Sequence, residues 1–234
     1  VAEDEAGLGE RPHLAHRLVA EALSVLLCPD EELAGEGEAT DLHERIERGD
    51  KLVILDTRTP EEYQRFCIPG GRSVPGGELA LRVTDITKDL DKDTTVIVNC
   101  AGRTRSIIGT RVLQRMGFTN IFGLKNGTSG WVLAGYELET GADRLDLPEP
   151  SAEGTAAAEA YADKLADEDG VRYLDIAKLR SMLANREKEA AFFIDVRTVQ
   201  EYENGHIPGF RWFPGGQVVQ RSDDVLVIKN CPVV

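Results

Sequence analysis

The chain has 234 residues, of which 41% are hydrophobic and 29% charged, the make-up of a soluble globular protein with room for two small domains. A formal net charge of -14 argues against general binding to nucleic acid or an acidic membrane surface, because neither polyanion would release counterions to such a surface. The four cysteines, Cys28, Cys67, Cys100 and Cys231, form no Cys-x-x-Cys pair and no cysteine–histidine cluster, so neither a zinc site nor a disulfide scaffold is expected, and they read as reduced thiols of a cytoplasmic protein.

Residues 1–35 read as an N-terminal helical segment or linker. The stretch His13–Leu27 is rich in alanine and leucine, and Leu18–Leu27 is too short to span a membrane and is interrupted by Glu21 and Ser24. No secretory signal pattern is present, and a first residue of Val1 rather than Met reads as a processed or excised chain. A helical stretch at Asp41–Arg48 leads into an apolar strand at Leu52–Leu55 that ends in Asp56-x-Arg58. Thr59 and Glu62 have the spacing of a capping box, with Pro60 at the first helical position, where its missing N–H costs nothing. A short helix and a Gly/Pro-rich loop through Ile68-Pro69-Gly70 follow.

Val96-Ile97-Val98-Asn99-Cys100-Ala101-Gly102-Arg103-Thr104-Arg105-Ser106 is the most informative stretch. A β-branched strand delivers a cysteine into a tight loop, and a helical pattern then runs from Ser106 through Ile107, Ile108, Val112, Leu113 and Met116 to Gly117. Loop and helix N–H groups aimed at a sulfur, with the helix dipole behind them, favour a thiolate. Neighbouring arginines lower a thiol pKa further. A cysteine at a strand end can also be a small hydrophobe, but packing alone has no use for Gly102, Arg103 and Arg105 beside it. Residues 100–116 carry Arg103, Arg105, Arg111 and Arg115 and no acid, a basic patch on an acidic protein that suits a small anion. Trp131 is expected to pack the sheet. Residues 141–170 read as a linker with a helix near Ala156–Ala166, Pro148 and Pro150 marking the linker and Asp163–Asp169 a solvated helix face.

The second half repeats the first. Leu55–Arg82 aligns without a gap to Ile194–Arg221: Asp56-x-Arg58 matches Asp195-x-Arg197, the Thr59/Glu62 box matches Thr198/Glu201, and Ile68-Pro69-Gly70 matches Ile207-Pro208-Gly209. A helical stretch at Asp175–Asn185 precedes the second strand, as Asp41–Arg48 precedes the first. Cys100 follows Asp56 by 44 residues, and the same offset from Asp195 falls past Val234. Cys231 comes too early and reads as a loop cysteine before a strand. The expected organisation is therefore a complete copy at 36–140 and a partial copy at 171–234 without a catalytic loop, in a piece of a longer repeat protein. Alternating strands and helices predict an α/β domain with a mainly parallel sheet, whose ligands bind at the carboxyl ends of the strands.

The set Asp56-x-Arg58, Pro60-Glu61-Glu62-Tyr63, Ile68-Pro69-Gly70, Cys100 to Ser106 and Gly130-Trp131-x-x-Ala134-Gly135-Tyr136 resembles rhodanese domains. The duplication is similar to that of a tandem multi-rhodanese sulfurtransferase, covering Thr40–Glu139 fully and Tyr173–Val234 as a truncated copy. The resemblance implies a rhodanese-like three-layer α/β domain followed by a second, truncated one. It implies sulfane-sulfur transfer from a small anionic donor such as thiosulfate to cyanide or a thiol, through a persulfide on Cys100, with no metal and no cofactor, and leaves room for further rhodanese domains. The N–H groups of Ala101, Gly102, Arg103, Thr104, Arg105 and Ser106 would cradle the persulfide. Arg105 takes the loop-closing basic position, Arg103 would attract the donor, and Asp56 and Arg58 form a structural pair near the site. Cys67 stands where many members carry histidine, as His206 does in the second copy, and is a candidate resolving thiol. The loop glycine is moved forward to Gly102. Phosphatases on this scaffold have five residues between cysteine and arginine, and here there are four, the sulfurtransferase spacing. A non-catalytic interaction module is the alternative from another class.

Overall fold

The computed structural model describes residues 36–228 and 230–234. The stretch His13–Leu27 and Cys28 lie outside them. In chain order the first part contains β1 (Glu36–Gly37), α1 (Ala39–Arg48), β2 (Leu52–Asp56), α2 (Pro60–Arg65), β3 (Arg72–Ser73), α3 (Leu79–Thr87), β4 (Thr95–Asn99), α4 (Thr104–Arg115), β5 (Ile121–Leu124) and α5 (Gly127–Leu133). The five strands form one sheet in the order β1-β5-β4-β2-β3, and every pair is parallel.

Central parallel strands are covered on both faces and therefore read as unbroken apolar runs. All five residues of β4 are buried. Successive side chains alternate between faces: Leu55, Val96 and Val98 join one core cluster with Leu79, Val83 and Leu113, while Ile54 and Ile97 join another with Leu42, Leu124 and Trp131. Helices over each face complete three layers. The β2–β4 register sets Asp56 opposite Asn99, so both strands end together and the Cys100 loop leaves from the sheet's carboxyl edge. Trp131 is buried and its Nε1 donates to Glu137 O at 2.9 Å, in keeping with a packing role. Helix α4 starts at Thr104, two residues before the sequence pattern suggested, because polar Thr104 and Arg105 in its first turn carry no apolar signal.

The segment from 141 to 170 differs from the expected linker. Helix α6 (Ala152–Glu168) is longer than Ala156–Ala166 and belongs to the first core. Tyr161 and Leu165 sit in the same cluster as Leu79, Val83 and Leu113. Ala158, Ala162, Leu165 and Ala166 are buried, a stripe at helical spacing whose small residues let α6 approach α3 closely. Ser151 caps the helix by accepting from Gly154 N–H at 3.0 Å, and its own N–H donates to Asp85 on α3 at 2.9 Å. Upstream, Ala142 packs with Tyr63 and Cys67. Pro148 and Pro150 mark an irregular path over the domain rather than its edge. Asp163, Asp167, Glu168 and Asp169 are exposed, as a solvated face requires, and Glu168 also accepts from Arg115 of α4 at 2.6 Å.

Downstream lie α7 (Ile176–Ala184), β6 (Ile194–Asp195), α8 (Val199–Asn204), β7 (Arg211–Trp212), α9 (Gly215–Gln220) and α10 (Ser222–Val225). Strands β6 and β7 pair in parallel, and Phe192 bridges Val233 in parallel on the other side, so Cys231 precedes a strand-like segment. Local geometry repeats across the two halves. Thr198 and Glu201 close a capping box as Thr59 and Glu62 do, and Tyr202 donates to Phe210 O at 3.2 Å where Tyr63 donates to Gly71 O at 2.6 Å. No helix among the described residues is long and apolar enough to cross a membrane.

If α6 is part of the first core, Leu165→Ala should lower unfolding free energy by about 2–5 kcal/mol in a urea titration. A loss under about 0.5 kcal/mol, the level of ordinary surface substitutions, would return α6 to the role of a linker.

Candidate active site

The ends of β2 and β4 are joined by a buried polar knot. Asp56 and Arg58 are each 1% exposed. Arg58 Nε donates to Asp56 Oδ1 at 2.8 Å and Nη2 to Oδ2 at 2.7 Å. Nη2 also donates to Phe66 O at 2.6 Å, and Asn99 Nδ2 donates to Asp56 Oδ2 at 3.0 Å. Thr57 donates to Asn99 O through both its N–H and its hydroxyl, each at 2.9 Å. A buried charge is tolerated only when it is paired and hydrogen-bonded, and these contacts meet that condition while holding the residue before Cys100. Asp195 and Arg197 make the same bidentate pair in the second half, with Arg197 Nη2 to Gly205 O at 2.8 Å.

Cys100 is 2% exposed, and its Sγ lies 3.5 Å from Ser106 Oγ. The loop therefore curls back from the strand end to the first turn of α4. Three of its carbonyl groups are already used. Thr128 N–H donates to Cys100 O at 2.9 Å, Ser129 N–H to Ala101 O at 3.1 Å, and Ser129 Oγ to Ala101 O at 2.8 Å. Arg103 O accepts from Ile107 N–H at 3.1 Å and from Ser106 Oγ at 2.9 Å. Among the described residues, the main-chain N–H groups of Ala101, Gly102, Arg103, Thr104, Arg105 and Ser106 have no acceptor. A loop with three carbonyls pinned and its N–H groups without acceptors is arranged to receive negative charge.

Gly127 makes this packing possible. Its φ is +54°, and a Cβ there would stand 2.0 Å from Cys100 O and 2.9 Å from Gly102 O. Only a residue without a side chain lets α5 approach the loop so closely. Gly127, Thr128, Ser129 and Asn99 are thus part of the candidate site, and none was singled out from sequence for it. The signal available was the run Gly127-Thr128-Ser129-Gly130, four small residues before a buried tryptophan.

The expected free basic patch is corrected by the structure. Arg105 Nη1 and Nη2 donate to the two oxygens of Glu62 at 2.7 and 2.9 Å. Arg103 Nε and Nη2 donate to the two oxygens of Glu36 at 3.0 and 3.3 Å, and Arg115 pairs with Glu168. The stretch holds no acid of its own, but the fold brings acids from elsewhere to its arginines. The Arg105 guanidinium holds the Glu62 carboxyl down at about 2, against partial burial that raises it, with help from Thr59 N–H. In return Glu62 raises the Arg105 pKa, and the Cys100 and Asp56 charges add to that. Glu62 read from sequence only as a helix cap, and it caps α2 and clamps Arg105 at once.

Cys67 is fully buried in a separate cluster with Tyr63 and Ala142. It exchanges both main-chain hydrogen bonds with Glu139, at 2.8 and 2.9 Å, and Arg144 Nη2 stands 3.9 Å from its sulfur. Burial pushes the Cys67 thiol up, which disfavours a resolving role. His206 stacks on Tyr202 at 3.8 Å between ring centroids. No group of three or more His, Cys, Asp or Glu among the described residues is arranged to hold a metal ion.

With this geometry in place, comparison with known proteins is decisive for the fold. Residues 38–134 match the model of the rhodanese-like domain. A solved thiosulfate sulfurtransferase from Pseudomonas aeruginosa superimposes with a TM-score of 0.80 and 41% identity, over 93% of this chain and 41% of its own. The fold is rhodanese-like. A curated sulfurtransferase from Allochromatium vinosum is 25% identical over 106 residues, 45% of this chain and 95% of its own. An HTH-type transcriptional regulator from Mycobacterium tuberculosis is 32% identical over 131 residues, 56% of this chain and 54% of its own. This chain therefore spans about half or less of the regulator and of the Pseudomonas protein.

Two outcomes follow from the site's packing. Gly127→Ala should displace the Cys100 and Ala101 carbonyls. Iodoacetamide labelling of Cys100 and the thermal midpoint should both change, whereas a conservative Val132→Ala on the exposed end of α5 should leave labelling as it is. The Glu62–Arg105 pair gives a pH signature. The depressed Glu62 pKa means that its stabilisation is complete above its ordinary value of 4.5 and is lost as pH falls through about 2. The stability gap between wild type and Glu62→Gln, read by thermal melts, should be flat above that ordinary value and shrink below it.

Proposed function

We propose that this protein is a sulfurtransferase that carries sulfane sulfur as a persulfide on Cys100, in the first of two tandem rhodanese-like copies. The observation that carries the reading is the Cys100 loop. A thiol follows the central strand, the carbonyls of Cys100, Ala101 and Arg103 are tied to α5 and α4, and six consecutive N–H groups have no acceptor among the described residues. The likeness to the Pseudomonas thiosulfate sulfurtransferase supports the same chemistry.

In the first half-reaction the Cys100 thiolate attacks the outer sulfur of thiosulfate. The donor S–S bond breaks with its electron pair leaving on sulfite, and a new S–S bond forms on Cys100. In the second, cyanide or a thiolate attacks that outer sulfur, takes it as thiocyanate or a new persulfide, and returns the Cys100 thiolate. The two steps predict ping-pong kinetics. The N–H groups of Ala101 to Ser106 stabilise the anionic persulfide and need no reorganisation to do so. Ser106 Oγ, 3.5 Å from the sulfur, accepts from the thiol and can turn its own proton to the thiolate. Arg105, clamped by Glu62, fixes the loop's far end. Asp56 and Arg58 position the strand end.

The copies are assigned as 36–170, with α6 included, and 171–234, and the Cys100 site lies in the first. A phosphatase reading is disfavoured by the four-residue spacing and by the bidentate engagement of Arg105 with Glu62. A binding role alongside catalysis is favoured by the partial likeness to a transcriptional regulator. Reduced thiols suit a cytoplasmic setting.

Intact mass after incubation with thiosulfate tests the reading. Wild type should gain one sulfur, lose it to cyanide, and show no gain as Cys100→Ser. Arg105→Ala should slow persulfide formation by roughly one to two orders of magnitude in a single-turnover assay. No sulfur on the wild type, with turnover of an aryl phosphate instead, would overturn the proposal.

A further inference from the structure

The arginines beside Cys100 do not present free positive charge. Arg105 is held by Glu62 through two hydrogen bonds, and Arg103 by Glu36 through two more. Next to the second pair, Lys125 donates to Glu38 at 2.5 Å, and Glu36 and Arg103 both act on the Lys125 charge. Among the described residues, Arg103, Arg105 and Lys125 at the loop are thus each closed into a pair with a carboxylate, on a chain of net charge -14.

Glu36 is held in place by the main chain. Strand β1 pairs with β5 in parallel, with Glu36 opposite Gly123, and Lys125 N–H donates to Gly37 O at 2.9 Å. The Glu36 side chain is 20% exposed against 53% for Arg103, so the carboxylate is the more fixed partner and the guanidinium comes to it. Thiosulfate carries two negative charges. Coulomb energy scales with the product of charges, so a site of paired arginines attracts a dianion far less than the sequence alone suggests, and the surrounding net charge repels it twice as strongly as a monoanion.

We infer that Glu36 is a specificity-determining residue that neutralises Arg103 and turns donor preference toward singly charged sulfane-sulfur anions and away from the thiosulfate dianion. This rests on the sulfurtransferase reading above and names the donor class for the same site. Methanethiosulfonate is the matching probe. It carries one charge and gives its outer sulfur to the Cys100 thiolate by the same displacement, with methanesulfinate leaving on the electron pair of the broken S–S bond.

The experiment is the second-order rate constant of Cys100 persulfidation, by rapid quench and intact mass, for thiosulfate and methanethiosulfonate in wild type, Glu36→Gln and Glu38→Gln. Glu36→Gln should raise the thiosulfate constant by roughly three- to tenfold at low ionic strength. On a logarithmic scale the increase for methanethiosulfonate should be about half as large, because the probe bears half the charge, and both increases should shrink as salt is added. Glu38→Gln removes the same charge from Lys125 and should have a smaller effect than Glu36→Gln. An unchanged thiosulfate constant in Glu36→Gln, an equal factor for the two donors, or an equal effect of Glu38→Gln would overturn the inference. Failure of both donors to persulfidate wild-type Cys100 is a separate result that would remove the sulfurtransferase reading and this inference with it.

Discussion

The arrangement depends on one buried carboxylate. Asp56 ends β2 directly opposite Asn99 at the end of β4 and accepts from both Asn99 and Arg58. Arg58 in turn holds Phe66 O. Removing one partner of such a pair leaves an unpaired charge in the core and costs about 3–5 kcal/mol, so the three groups stand or fall together. Their effect is geometric. They stop two neighbouring parallel strands at the same level and define the platform from which the Cys100 loop departs. The equivalent knot at Asp195 and Arg197 keeps the same local form in the smaller sheet of β6 and β7, so the motif's geometry does not depend on the five-stranded sheet.

On that platform the loop is shaped by what it lacks as much as by what it contains. Main-chain carbonyls and N–H groups compete for the space around a thiol. Here α5 takes the carbonyls of Cys100 and Ala101, and the N–H groups remain. The contact requires Gly127, at positive φ and with no room for a Cβ. A preorganised set of donors stabilises charge without having to rearrange when that charge forms, which is why the packing of a helix remote in sequence bears on the chemistry of the sulfur.

Charge acts at a longer range than packing. The local run of arginines suggests an electropositive funnel, whereas the tertiary structure closes Arg103, Arg105 and Arg115 into pairs with Glu36, Glu62 and Glu168. Paired guanidiniums still donate fixed hydrogen bonds and still hold the loop, but they contribute little net field. Glu62 shows the economy of the arrangement: one carboxylate caps α2 and anchors Arg105.

By itself the sequence determined the α/β class, the parallel sheet, the position of Cys100 at a strand end and the repeated Asp-x-Arg and capping-box segments. Each of these is a local pattern: an apolar run, a fixed spacing, a cap. The rhodanese resemblance was legible for the same reason, because its motifs are short and contiguous. Only the tertiary structure decided that α6 completes the first core, that Gly127, Thr128 and Ser129 pin the loop, that Cys67 is sealed in a separate cluster, and that each of Arg103, Arg105 and Arg115 is neutralised. These are contacts between residues far apart in the chain, such as Arg103 with Glu36 and Leu165 with the α3 core. No periodicity or spacing encodes them. They arise when the parallel sheet brings distant segments to one edge, and burial and pairing are then settled by what each side chain meets there.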